Sequence, residues 1–173
     1  MSRSDNNVTL TLLCGEDKQP VAATRALINC SNTLKTCLDD TPEGMSEDIT
    51  LPLSAFASED ILRVIEWCEH HQHDPPQAEE PFEQYQQPDP TINDGWDREW
   101  VRSLDKYALY ALMEAANFLE ITPLLETCAK AIANMMSNKT YLQLREEFQV
   151  ETDYTPEEEE HLKNTLKWAQ DLN

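Results

Sequence analysis

The chain has 173 residues, of which 40% are hydrophobic, a length and composition that suit one domain with an appendage. Its 33 acidic residues outnumber its 13 basic residues and give a formal net charge of -20. Because phosphate groups attract lysine and arginine, this charge argues against nucleic acid and anionic membranes as partners. No segment has the roughly 18 to 20 apolar residues of a membrane span, and the opening "MSRSDNNVTL" lacks the apolar core of a signal peptide. We therefore expect a protein of the cytoplasm or the nucleus.

The first half of the sequence predicts short strands and helices. Branched and apolar residues alternate in "VTLTLLC" (8–14), which predicts a first strand, and "VAAT" predicts a weaker second one. A helical pattern begins at Thr24, and "ITLPL" (49–53) predicts a third strand. Ser58 is the predicted N-cap of the next helix, whose apolar face carries Ile61, Val64, Ile65 and Cys68.

Residues 72–95 carry five prolines among acids and glutamines and show no apolar period, which predicts a flexible acidic insertion. The clearest helical stripe follows, from about 104 to 120. Three further helix starts are marked by Thr122 with Pro123, by Thr140 with Gln143, and by Thr155 with Glu158. The "EEEE" run at 157–160 is then the acidic first turn of a helix, where the helix dipole favours negative charge. The predicted fold class is α+β, with six or seven helices that dominate after residue 100.

Side chains with thiol or metal chemistry cluster in "CEHHQH", which contains Cys68, His70, His71 and His73. A thiol or metal enzyme built on them is a remote alternative, because zinc usually has four ordered ligands and this helix runs into prolines. The five cysteines, an odd number without CxxC spacing, predict reduced thiols rather than disulfides. Three glycines leave no phosphate-binding loop. We expect a binding module without catalytic residues, metal or cofactor.

The C-terminal half resembles a known family. The segments "GWDREW", "ALMEAANFLEITPLLETCAKAIANMM", "NKTYLQLREEFQVETDYTPEEEEHLKN" and "LKWA" are similar, in order, to the Skp family of S-phase-kinase-associated adaptors of cullin ubiquitin ligases. The resemblance covers roughly residues 8 to 173. It implies a BTB/POZ-type domain at 1–138 that binds a cullin, followed by a C-terminal helical extension at 139–173 that binds the F-box of substrate receptors. Such adaptors are non-catalytic subunits of SCF-type ligases.

The resemblance also implies individual contact residues. The cullin-facing pair is Asn117 and Phe118, and the positions that match the F-box side are Tyr110, Leu125, Ile132, Phe148, Val150 and Trp168. Phe118 stands where the family usually has tyrosine, and Glu114 stands where an apolar residue is usual. These departures suggest a divergent paralogue with an altered list of partners.

Two alternatives remain open on the sequence. Helical periodicity places Trp168 roughly 120° from the stripe of Leu162, Leu166 and Ala169, so from the residues alone it either completes the packing of the last helix or forms part of an interface. The chain as a whole is either a cullin adaptor or a BTB scaffold that homodimerises or binds F-box proteins outside a cullin ligase.

Overall fold

The computed structural model of the chain describes residues 9–40, 48–75, 89–137, 139–151 and 154–165. Within these ranges a small sheet has the strand order β2-β1-β3, formed by β1 (Thr9–Cys14), β2 (Gln19–Ala22) and β3 (Asp48–Leu53). Strand β1 pairs antiparallel with β2 and parallel with β3. The two prolines of the sheet, Pro20 and Pro52, lie on the outer strands, where a missing N–H costs least.

The strand predictions agree with the structure in number and place. The second strand begins at Gln19, two residues before the predicted "VAAT", because residues 19–22 form the return half of a hairpin with β1. Alternation along β1 buries Leu10, Leu12 and Cys14 on one face.

The helical pattern that begins at Thr24 is divided into α1 (Arg25–Cys30) and α2 (Asn32–Asp39). Ser31 separates them with an extended backbone, and its hydroxyl accepts a hydrogen bond from the Leu34 amide, so that it caps α2. The described residues thus contain eight helices, more than the six or seven predicted.

Helix α3 (Ser58–His70) begins one residue earlier than predicted, with Ala57 rather than Ser58 at the N-cap. The Ser58 hydroxyl instead donates to Gln19 Oε1 on β2, at 2.8 Å. Helices α4 (Gly95–Arg102) and α5 (Lys106–Phe118) follow, each capped by an aspartate side chain.

The core lies where α3 packs on α1 and α5. Its fully buried side chains include Ile61 and Val64 of α3 and Leu109 and Leu112 of α5. Each such side chain contributes about 1.5–3 kcal/mol relative to an exposed one. The predicted apolar face of α3 is therefore correct, and it includes Ile65 and Cys68.

The last three helices are α6 (Thr122–Met136), α7 (Tyr141–Phe148) and α8 (Pro156–Thr165). The predicted capping box of α7 is confirmed, since Thr140 and Gln143 satisfy each other's backbone N–H groups. Thr155 and Glu158 make the equivalent bonds at the start of α8. An ion pair between Arg145 and Glu159, at 2.6 Å, joins α7 to α8.

The chain divides into two compact units, Met1–Met135 and Met136–Asn173. The predicted flexible insertion falls largely on residues 76–88, which lie outside the described residues, as does Trp168. None of the described helices is both long and apolar enough to cross a membrane.

Candidate protein interaction surfaces

The predicted cullin-facing pair lies at the C-terminal end of α5. Asn117 and Phe118 are both exposed, and Phe118 leaves 48% of its surface in solvent. The Phe118 ring contacts Phe56 with 5.3 Å between ring centroids and a tilt of 54°. One side of the aromatic ring is thus fixed by the fold while the other faces outward, which is the arrangement of a side chain available to a partner.

The turn that presents Phe118 is fixed by backbone hydrogen bonds. Glu120 has a left-handed backbone (φ 52), the Ile121 amide donates to the Ala116 carbonyl at 2.9 Å, and the Glu120 amide donates to the Asn117 carbonyl at 3.2 Å. This is the Schellman pattern that commonly ends helices.

Two hydroxyl groups from the N-terminal part of the chain complete the turn. Ser31 Oγ donates to the Leu119 carbonyl at 2.6 Å, and Thr33 Oγ1 donates to the Phe118 carbonyl at 2.9 Å. Sequence reasoning missed both residues, and the sole available signal was a serine interrupting an apolar helical pattern. The carbonyls that α5 leaves without helical partners are therefore satisfied by the α1–α2 region.

Three of the predicted F-box positions belong to the first unit. Tyr110 on α5 and Leu125 and Ile132 on α6 are half-buried. Leu125 and Ile132 pack partly against the core, although the main buried face of α6 is formed by Leu124, Thr127, Cys128 and Ala131. Leu125 and Ile132 thus form a second apolar stripe on α6, one position along the chain from Leu124 and Ala131. Part of its surface is exposed to solvent and could be covered by a partner.

The remaining described F-box positions belong to the second unit. Phe148 is half-buried and Val150 is 57% exposed, while Leu142 and Tyr154 are also exposed. No residue of α7 is buried. Because α7 buries no residue, packing within the chain contributes little to its stability. Its exposed apolar side chains can gain stability by binding a partner.

The proposed thiol–histidine cluster does not assemble. Cys68 is fully buried, His70 stacks on Trp96 with ring centroids 4.0 Å apart, and His73 is exposed. Among the described residues, no three histidine, cysteine or acidic side chains are placed to bind a metal ion. The structure gives no support to the metal alternative.

His71 serves a structural network instead. Its Nδ1 faces Asp74 and its Nε2 lies 3.1 Å from Asp97 Oδ1, and the buried Asp97 also accepts from Trp67 Nε1 at 2.8 Å. Burial lowers the pKa of His71, but the hydrogen bonds to Asp74 and Asp97 outweigh it and the pKa is raised. The network borders a groove of about 800 Å³.

A small sheet, a helical core and separate exposed apolar surfaces define a protein-interaction module of the α+β class. Two family models match the chain: the Skp1 family tetramerisation domain over residues 10–73 and the Skp1 family dimerisation domain over residues 122–169. The predicted fold, a POZ-type domain with a helical extension, is therefore confirmed.

Relatives match along nearly the whole chain. Suppressor of kinetochore protein 1 of Schizosaccharomyces pombe is 32% identical over 92% of this chain and 96% of its own length. The E3 ubiquitin ligase complex SCF subunit sconC of Arthroderma benhamiae is 33% identical over 98% and 99%, and SCF ubiquitin ligase complex protein SKP1b of Dictyostelium discoideum is 31% identical over 95% and 98%. The chain belongs to the Skp1 family.

Proposed function

We propose that this chain is a non-catalytic adaptor subunit of an SCF-type ubiquitin ligase in the cytoplasm or nucleus, where it joins a cullin to F-box substrate receptors. The observation that carries the proposal is the end-to-end relation to proteins named as SCF subunits. The exposed turn at Phe118 and the separate apolar surfaces of α6 and α7 supply the binding surfaces that such a role requires.

The cullin surface is the turn at Asn117 and Phe118. The Phe118 ring is held by its contact with Phe56 and its backbone by the Thr33 hydrogen bond, so the ring contact limits the side-chain entropy lost when a partner covers it. A large side chain of this kind can bury its exposed area in a partner's pocket, as hot-spot residues do. Without the tyrosine hydroxyl that is common in the family, Phe118 binds through apolar area alone.

We assign the F-box contacts to Tyr110, Leu125 and Ile132 in the first unit and to Phe148 and Val150 in the second, with Trp168 added from its place in the sequence. Leu125 and Ile132 are half-buried, so they offer area to a partner without moving. Phe148, Val150 and Trp168 add apolar area from the C-terminal part of the chain.

The mechanism is one of effective concentration. An adaptor that binds a cullin at one surface and a receptor at another converts the encounter between substrate and ubiquitin-conjugating enzyme into an intramolecular event. The acceleration follows from geometry, so the adaptor needs no catalytic group of its own. It also requires the two surfaces to be occupied at the same time.

Paired substitutions test the division of surfaces. Asn117→Lys with Phe118→Lys is expected to weaken binding to a cullin N-terminal fragment by at least tenfold, about 1.4 kcal/mol, because a charge replaces the apolar contact. Binding to an F-box protein is expected to stay unchanged. Val150→Lys and Trp168→Ala are expected to show the reverse pattern, as measured by isothermal titration calorimetry.

The matched control is Leu62→Lys, since Leu62 is 53% exposed on α3, a helix that carries none of the assigned contact residues. It is expected to alter neither affinity, and circular dichroism checks that every variant is folded. Equal loss of both partners in a folded Asn117/Phe118 variant would refute the division of surfaces. Undiminished receptor binding by Trp168→Ala would remove Trp168 from the interface.

Glu114 gives the chain a means of selecting among receptors. It is exposed on α5, so its carboxylate is solvated in the free protein. A receptor that covers it with apolar surface incurs a desolvation cost, whereas one that offers a basic side chain does not. Glu114→Leu is therefore expected to broaden the range of F-box proteins captured from a defined panel, and an unchanged range would contradict this role.

A further inference from the structure

The first turn of α2 is bonded to the last turn of α5. Ser31 Oγ donates to the Leu119 carbonyl at 2.6 Å and accepts from the Leu34 amide at 3.1 Å, so one hydroxyl connects the end of α5 to the start of α2. Thr33, two residues further along, donates from Oγ1 to the Phe118 carbonyl at 2.9 Å. Two adjacent carbonyls at the end of α5 are therefore held by two hydroxyls from one short segment.

The two hydroxyls differ in burial. Ser31 is fully buried, so removing its hydroxyl leaves the Leu119 carbonyl without this partner inside the core. Thr33 is half-buried and its hydrogen bond is exposed, so water can replace the hydroxyl at the Phe118 carbonyl. The Ser31 bond thus belongs to the folded core, whereas the Thr33 bond acts locally on the residue that faces outward.

The turn that Thr33 contacts has a strained backbone. Glu120 has a φ of 52, in the left-handed region that a residue with a Cβ adopts at a cost. Such a conformation persists only where the surrounding contacts over-determine it. Phe56 contacts the Phe118 ring, with 5.3 Å between centroids, and the Thr33 hydroxyl binds the Phe118 backbone. The ring and the backbone of Phe118 are therefore fixed by two different parts of the chain.

We propose that Thr33 is a positioning residue for the cullin contact: its hydroxyl fixes the Phe118 backbone and thereby the direction in which the half-exposed ring meets the partner. The inference rests on the proposed function, because it assigns Thr33 a role in the same contact. Thr33 acts through Phe118 and needs no contact of its own with the cullin. A side chain that is held before binding loses less conformational freedom on binding, so the hydroxyl strengthens the complex without adding area to it.

Thr33→Val tests the proposal, because valine has nearly the shape of threonine but no hydroxyl. It is expected to weaken binding to a cullin N-terminal fragment by about threefold to tenfold, the effect of leaving one side chain to be ordered by the partner. Binding to an F-box protein is expected to stay unchanged. Isothermal titration calorimetry on the full chain measures both affinities. Thr33→Ser keeps the hydroxyl and is expected to retain the wild-type affinity for the cullin fragment.

The matched control is Thr36→Val, since Thr36 is exposed on the same helix. It is expected to alter neither affinity, and circular dichroism checks that each variant is folded. Equal weakening of cullin binding by Thr36→Val would refute the proposal. So would an equal loss of both partners in a folded Thr33→Val variant, because that pattern indicates a general structural role.

A double-mutant cycle shows whether Thr33 acts through Phe118. Phe118→Ala is expected to weaken cullin binding, and adding Thr33→Val is expected to weaken it no further, because the ring that Thr33 positions is gone. Additive losses in the double variant would overturn the proposal, since Thr33 would then contact the partner directly or act through another residue.

Hydrogen exchange in the free chain tests the positioning role without any partner. The Glu120 and Ile121 amides donate within the turn, and Thr33→Val is expected to make both exchange faster. Unchanged exchange would contradict the role of the hydroxyl. Full cullin affinity in Phe118→Ala would remove the proposed cullin surface and this inference with it. Full affinity in Thr33→Val, when Phe118→Ala has lost it, would remove the inference alone.

Discussion

Glu120 ends α5 in a conformation that its side chain makes costly. Its φ of 52 lies in the left-handed region, where a residue with a Cβ pays about 1–2 kcal/mol. Glycine is the usual residue at this position of a Schellman turn, because it lacks that cost. The turn therefore stores strain next to Phe118, at the predicted cullin surface.

Glu120→Gly is expected to raise the free energy of unfolding by about 0.5–1 kcal/mol, since it removes the strain while keeping the hydrogen bonds of the turn. Urea denaturation measures the change. Glu120→Ala is the matched control, because it removes the carboxylate but keeps the Cβ, and it is expected to give no gain. Equal stabilisation by both variants would show that charge, rather than backbone strain, is responsible.

Single residues were predictable where the signal was local. The capping partners Thr140 and Gln143 lie three positions apart, so their spacing is visible in the sequence. Ser31 and Thr33 were missed because their acceptors are backbone carbonyls 88 and 85 residues away, and a carbonyl has no residue type by which to recognise it. The exposure of Phe118 could not be read from periodicity either, because an aromatic residue at a helix end is typical of both core and interface.

At the scale of elements, Asp97 joins three helices. The carboxylate accepts from Trp67 Nε1 on α3, lies within reach of His71 just after α3, and receives the Thr127 hydroxyl of α6 at 3.5 Å, while Asp97 itself belongs to α4. Both ring nitrogens of His71 face carboxylates, which only accept hydrogen bonds, so the protonated imidazolium satisfies both sites.

The stability of this junction depends on pH. Because the folded pKa of His71 is raised above 6.5, its stabilisation is complete below that pH and is lost as the pH rises through the folded value. The difference in unfolding free energy between the wild-type histidine and His71→Gln is expected to shrink from pH 5.5 to pH 8, as measured by urea denaturation.

The comparison is best made in a Cys30→Ser background. The lowered pKa of Cys30 contributes stability that grows as the pH rises above about 7, which would mask the opposite trend of His71. His73→Gln is the matched control, since His73 is exposed and two residues away, and it is expected to leave the pH dependence unchanged. A constant effect of His71→Gln across this range would exclude proton linkage at the junction.

Element boundaries show the limit of local signals. Pro156 and the glutamates of α8 marked its start correctly, since proline and acidic residues favour the first turn of any helix. Ser58 was wrongly assigned as the N-cap of α3, because its hydroxyl bonds to Gln19 on a neighbouring strand. A tertiary contact of this kind overrides the local preference and is invisible in a window of sequence.

At the scale of the whole molecule, electrostatic repulsion and hydrophobic attraction act in opposite directions between two copies of the chain. The net charge of -20 repels them, while the second unit exposes Leu142 (45%), Val150 (57%) and Tyr154 (54%). Salt weakens only the repulsion, since the Debye length falls from about 30 Å at 0.01 M to about 10 Å at 0.1 M ionic strength. This balance bears on the alternative that the free chain acts as a homodimeric scaffold.

The chain is therefore expected to sediment as a monomer at low salt and to self-associate as sodium chloride is raised, with the weight-average sedimentation coefficient as the readout. Leu142→Glu is expected to abolish the association, whereas Leu62→Glu, at a residue 53% exposed in the first unit, is expected to leave it intact. Loss of association in both variants alike would implicate general surface hydrophobicity rather than the second unit.

The family and the fold class were predictable because the motifs of the C-terminal half keep their order. They do so although the whole chain is only about a third identical to its relatives. The division of the surface between partners was not predictable from periodicity. Leu125 and Ile132 have helical spacing whether they face a core or a receptor, and the structure leaves them between these extremes. Their roles remain predictions for the binding experiments.

The hydrogen bond from Ser31 to the Leu119 carbonyl has a consequence for synthesis. The two residues are 88 positions apart, so at about 5–20 residues per second the ribosome makes the donor about 4 to 18 seconds before the acceptor. Throughout that interval the Ser31 hydroxyl has no Leu119 carbonyl to bind, because the turn at Phe118 has not yet been made. A nascent chain therefore cannot offer this surface to a partner until α5 has left the ribosome, so the surface forms late in synthesis.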